Sequence, residues 1–146
     1  MFRALLCSML LLLPLLANAQ QASPQRFGDM LVYHNTFNSS YLPPEIAANT
    51  GLTRGPNHGV LNIAVQQQTP QGPVAMDALL NGTVTTLLGQ RTTLDFIRIA
   101  EDGAIYFVAN YMATQRGLLR FEVEVRPSNG AVTQTLRFQQ EFFPDE

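Results

Sequence analysis

The chain has 146 residues, nine arginines and no lysine against eleven carboxylates, and a formal net charge of −2. That weakly acidic balance lacks the basic footprint nucleic acid requires and the cationic patch that docks on anionic lipid. One cysteine and no tryptophan leave a core to be built from aliphatic and phenyl side chains.

Met1-Phe2-Arg3 is a short basic start, residues 4–16 are an apolar run, and Ala17-Asn18-Ala19 is a small-x-small cleavage site. The three parts predict a signal peptide over residues 1–19, with Gln20 as the new N-terminus and the periplasm as the destination. Thirteen apolar residues reach only about 20 Å as a helix, short of the roughly 30 Å hydrocarbon core. No stable membrane insertion is therefore expected after cleavage. Cys7 leaves with the leader, so the exported part has no disulfide to lean on in an oxidising compartment. A single domain of the remaining length buries roughly two-thirds of its unfolded surface.

Residues 20–26 are polar, carry Pro24 and have no periodicity, so they predict a disordered tail before a single domain over residues 27–144. Residues 29–38 are rich in β-branched and aromatic side chains and predict a strand with both faces partly apolar. Residues 39–59 form the longest irregular segment. Within it Pro44 at a first turn, Glu45 beside it and Gly51 at the end predict a two-turn helix. Such a helix must dock to persist, through Ile46 and Leu52.

Residues 60–67 alternate, with Leu61, Ile63 and Val65 on one face. Residues 69–73 form a turn, and residues 74–88 hold one or two strands. Asn81-Gly82 there reads as a bulge in preference to a hairpin turn. Residues 92–100 change phase, Leu94 and Phe96 on one parity and Ile97 and Ile99 on the other, which predicts a second bulge. Glu101-Asp102-Gly103 predicts a hairpin turn. Residues 104–112 are apolar on both parities and predict a central strand. Residues 118–126 alternate cleanly: Leu119, Phe121, Val123 and Val125 face in, while Arg120, Glu122, Glu124 and Arg126 form a wet face. The last strand, residues 132–143, turns Val132, Leu136, Phe138 and Phe142 inward. The sum is an all-β fold: a two-sheet antiparallel immunoglobulin-like sandwich of 7–8 strands with one short helix in the first long loop. A partly open barrel is the alternative.

His34 and His58 are the two groups that titrate near neutral pH. The spacing of His34 and His58 to Asp29 or Asp95 gives no metal site. His34 is expected as a strand residue hydrogen-bonded to a neighbour, and His58 as a solvated turn residue. Ser39-Ser40 near His34 lacks a nucleophile-elbow pattern and predicts turn chemistry. No catalytic residue, metal or cofactor is assigned. The 39–59 loop, at one end of a rigid scaffold, is the candidate binding site. Asn38, Ser39, Tyr41, Arg54, Asn57 and His58 are its candidate residues.

The segments GDMLVYHNTFNSSYLPPEIA, RGPNHGVLNIAV, LDFIRIAEDGAIYFVA, LLRFEVEV and LRFQQEFF span essentially the whole exported part in order. On these segments, FNSSYLPPEIA above all, the chain resembles domain-of-unknown-function family 4426, small exported proteins of proteobacteria. The resemblance implies one periplasmic domain with an immunoglobulin-like sandwich, and no activity.

The expected function is a periplasmic binding or protein-interaction module without catalytic activity, its partner another envelope protein or a peptide. An envelope structural or assembly protein is the first alternative. A small hydrolase using a histidine is the second.

Overall fold

The computed structural model describes residues 24–145. The expected signal peptide and residues 20–23 of the expected tail lie outside that range. In chain order the strands are β1 (Gln25–Phe27), β2 (Met30–Asn38), β3 (His58–Thr69), β4 (Gly72–Ala75), β5 (Ala78–Thr86), β6 (Arg91–Leu94), β7 (Ile97–Glu101), β8 (Ala104–Met112), β9 (Gly117–Pro127) and β10 (Gln134–Phe142). One sheet has the order β1-β2-β3-β8-β7, with β4 added along β3; the other has the order β10-β9-β5-β6. All pairings are antiparallel. The two sheets stack as a sandwich, and one short helix, α1 (Pro44–Thr50), lies in the loop after β2. Among the described residues no helix is long and apolar enough to cross a membrane.

Alternation builds the core. Leu61, Ile63 and Val65 on β3, with Val32 on β2, meet Phe121, Val123 and Val125 on β9 and Leu136 on β10, all buried. Aromatic rings link the two layers. Tyr111 meets Phe121 edge-on at 5.1 Å, Phe121 stacks on Phe138 at 4.8 Å, and Phe138 stacks on His34 at 3.9 Å. Gly59 lies under the Tyr111 ring, where an added Cβ would collide with Tyr111 Cζ. The ring keeps its place only because that position has no side chain.

Sheet face decides several details the sequence left open. β2 and β8 are apolar on both parities because a second, smaller core covers the outside of the first sheet. There Leu52, Val60 and Val108 are buried with Phe37, Leu42, Ile97 and Ile99 packed on them. The helix docks through Ala47 and the loop through Leu52, whereas Ile46, expected to dock, is 47 % exposed. β5 passes through Asn81-Gly82 with unbroken register on β9 from Ala78 to Thr86, so no bulge exists there. Gly82 is a packing residue: a Cβ would stand 3.0 Å from Val123 Cγ2 and 3.1 Å from Glu122 O.

The phase change in residues 92–100 is not a bulge either. β6 belongs to one sheet and β7 to the other, so the chain crosses between layers at Asp95-Phe96 and the inward parity flips. The hairpin at Asp102-Gly103 is as expected, with φ of 50° and 80° matching a turn that needs two left-handed residues. Among the described residues ten strands stand where 7–8 were expected, because short strands flank that crossing and precede β2: β1 starts at Gln25, inside the segment expected as a tail. Val132, expected inside, precedes β10 and is 77 % exposed.

Candidate functional site

The loop between β2 and β3 opens with a single 3-10 turn at Ser39–Tyr41 and continues into α1. Gly51 ends the helix in the left-handed region at φ 76°, its N–H donating to Ala47 O at 2.9 Å. Three clamps hold the loop. Ser39 is completely buried; its Oγ donates to Gly55 O at 3.1 Å and accepts from Gly55 N–H at 2.9 Å. Asn110, on the outer face of β8, takes the Thr53 N–H at 2.7 Å and donates to Thr53 O and Gly59 O, each at 3.2 Å. The chain's C-terminal segment closes the third side. Asn38 Nδ2 donates to Phe143 O at 2.7 Å and to Asp145 Oδ1 at 2.9 Å, and the Asp145 N–H donates to Pro56 O at 3.3 Å. Hydrogen bonds from Ser40 and then Asn38 hold the Asp145 carboxyl below its ordinary value of 3.8.

Each candidate residue has a definite place in this scheme. Asn38 and Ser39 are anchors. Arg54 donates to Ser40 O at 3.2 Å and ties the two limbs of the loop together. Asn57 contributes its carbonyl, which accepts from Ala113 N–H at 2.9 Å. His58 is half-buried, not solvated: its Nδ1 is buried without a hydrogen-bond partner, and a Cβ on Gly55 would meet that atom at 2.9 Å. Tyr41 alone of the six projects freely, at 79 % exposure. Leu42 turns under it into the smaller core, while Pro43, Pro44 and Ile46 continue the exposed apolar surface. Asn110 was missed in the sequence reading. Its signal was there: one amide inside the apolar run AIYFVANYM.

The histidines stand apart from acid-base partners. His34 stacks on Phe138, and burial lowers its pKa below the ordinary 6.5. The hydrogen-bonded neighbour expected for it is replaced by that ring contact. Among the described residues no three of histidine, cysteine, aspartate and glutamate come together in a way that could hold a metal ion.

A family model described as domain of unknown function DUF4426 matches residues 24–145. The chain belongs to the DUF4426 family. A solved DUF4426 family protein from Pseudomonas aeruginosa PAO1 is 40 % identical, with a TM-score of 0.74 over 85 % of this chain and 96 % of that one. FetP of uropathogenic Escherichia coli strain F11, recombinantly expressed in the periplasm, is 10 % identical with a TM-score of 0.63, covering 85 % of this chain and 95 % of its own. A copper-bound variant of FetP gives a TM-score of 0.60 at 10 % identity over 84 % and 95 % of the two chains. The two FetP structures share the sandwich fold with this DUF4426 member. The comparison with curated proteins gave no match.

Proposed function

We propose that this protein is an exported periplasmic interaction module without chemistry of its own, and that residues 41–46 are its contact ridge. One observation carries the reading: a triply clamped loop holds Tyr41 79 % exposed beside Pro43, Pro44 and the half-exposed Ile46. A tyrosine on a clamped backbone has only two side-chain torsions to order on docking, and such residues supply much of the energy at protein interfaces. The two prolines add stiffness and keep the segment open to a partner. A hydrolase would need a histidine within about 3.2 Å of a serine or carboxylate. His34 is instead committed to Phe138, and His58 Nδ1 is buried without a partner. The leader-like residues 1–19 support the periplasmic address.

The test is site-specific photocrosslinking in intact cells, with the reactive residue at Tyr41 and, as a control, at Leu88, which is 87 % exposed on the β5–β6 turn. A discrete adduct from position 41 that position 88 does not give supports the proposal. The same adducts from both positions, or none from 41, refute it.

A further inference from the structure

The outer face of the four-stranded sheet carries a second site of different character. Strand register builds it. Arg120 on β9 lies opposite Gln139 on β10 and Thr85 on β5, and Thr85 lies opposite Arg91 on β6. One pleat along, Arg137 on β10 lies opposite Glu122, which lies opposite Thr83. Directly paired residues share a face, so all three arginines rise from the same side of the sheet. The Cα atoms of Arg91 and Arg120 are separated by two strand spacings, about 10 Å. Their side chains can close that span over a shared ligand. The three arginines, with Thr83, Thr85 and Gln139, rim a depression of about 400 Å³.

The charges there are out of balance. Arg137 meets Glu122 at 3.7 Å, a long and exposed contact. Arg98 and Arg116 are engaged elsewhere, by Asp77 and Glu141. Among the described residues Arg91 and Arg120 have no carboxylate within ion-pair distance. Three guanidiniums against one carboxylate reverse the local sign in a chain whose net charge is −2. Like charges gathered on one rim repel, and an anion between them removes that cost. Guanidinium forks match the planar oxygens of carboxylate and phosphate. The depression continues into a neighbouring hollow of about 280 Å³, where Asn81 and Thr93 add neutral polar groups and Glu124 a second carboxylate, so the two hollows together hold three guanidiniums against two carboxylates and the anion's place is at the arginine end.

We infer that this face binds a small hydroxylated anion, with Arg91, Arg120 and Arg137 gripping a carboxylate or phosphate group and the threonine hydroxyls and Gln139 meeting the rest of the molecule. The site is separate from the loop ridge and does not depend on it.

The experiment is an amide-resolved NMR titration of the exported protein at low ionic strength with glucuronate, glucose 6-phosphate and neutral glucose. The anions shift the amides of Thr83, Thr85, Arg120 and Gln139 saturably, and glucose does not. Response to glucuronate alone identifies a sugar acid, response to glucose 6-phosphate alone a phosphoester, and response to both recognition of the oxyanion itself. Arg120→Gln or Arg91→Gln weakens binding about tenfold, whereas Arg126→Gln, outside the rim, changes it less than about twofold. Glu122→Gln tightens binding, because Arg137 loses its competing carboxylate. No saturable shift from either anion up to about 10 mM overturns the inference. Equal losses for Arg126→Gln and Arg120→Gln overturn it too, since they mark a diffuse charge effect.

Discussion

Ser39→Ala tests whether the loop is held from within. The Oγ of Ser39 makes two hydrogen bonds to the backbone of Gly55, at 3.1 and 2.9 Å, from a completely buried position. Alanine keeps the Cβ and removes both bonds. Gly55 O retains its bond from His58 N–H at 3.2 Å, but Gly55 N–H loses its acceptor. A fully buried donor left unpaired costs about 1–3 kcal/mol; the Gly55 N–H is part-buried, which puts its share toward the lower end, and the second, neutral bond adds about 1 kcal/mol or less. A loss near 2 kcal/mol from the local opening free energy speeds exchange about 30-fold. Hydrogen exchange followed by mass spectrometry should therefore show loop peptides over residues 39–59 exchanging roughly 10- to 100-fold faster. Strands β5 and β9 should keep their protection, since the loop contributes little to the main core. Unchanged exchange in the loop would show that the serine bonds add nothing, and a uniform rise over all strands would show that the loop is not an independent unit. Asn49→Ala, at an exposed position of the same loop that takes part in none of the three clamps, is the control.

Other perturbations follow from the same geometry. Gly59→Ala drives a Cβ into Tyr111 Cζ, so overpacking should cost about 1–3 kcal/mol and lower the melting midpoint, with Tyr111→Leu rescuing part of the loss in a double-mutant cycle. An additive cycle would contradict the contact. Asn110→Ala frees Thr53 and should speed exchange of the loop's second limb without unfolding β8, as hydrogen exchange will show. The pKa of His34 is lowered by burial, so the unfolded chain takes up its proton first. Stability should be complete above 6.5, fall as pH drops through 6.5 toward the lower folded value, and lose this dependence in His34→Phe, measured by urea titration across pH. Asp145 has the opposite sign: held below 3.8, it stabilises above that pH and loses its effect as pH falls through its folded value, a dependence Asn38→Ala should reduce in acid titration.

Much of the sandwich could be read from the chain because strand alternation reports burial directly. The row Leu119, Phe121, Val123 and Val125 faces the core as its period demands. The helix was legible for a similar local reason, since Pro44 and Gly51 mark its two ends. What escaped was long-range. The parity change at Asp95-Phe96 looks the same in sequence whether a strand bulges or leaves its sheet; only the pairing of β6 with β5 and β7 with β8 separates the two. Gly82 resembled a turn or bulge residue, yet its role is set by Val123 across the strand, 41 positions away by number and adjacent in space. The segment between β2 and β3 was legible as irregular chain with one short helix. Which of its residues anchor and which project depended on partners at Gly55, Asn110, Phe143 and Asp145, and no spacing rule encodes those contacts. The arginine rim was visible only as scattered arginines until register gathered Arg91, Arg120 and Arg137.

The contact ridge is tested most directly by amide NMR of the isotope-labelled protein in concentrated periplasmic extract. The account predicts line broadening centred on residues 41–46 that disappears in Tyr41→Ser while the remaining spectrum is unchanged. Broadening absent from that segment, or persisting undiminished in Tyr41→Ser, would contradict it.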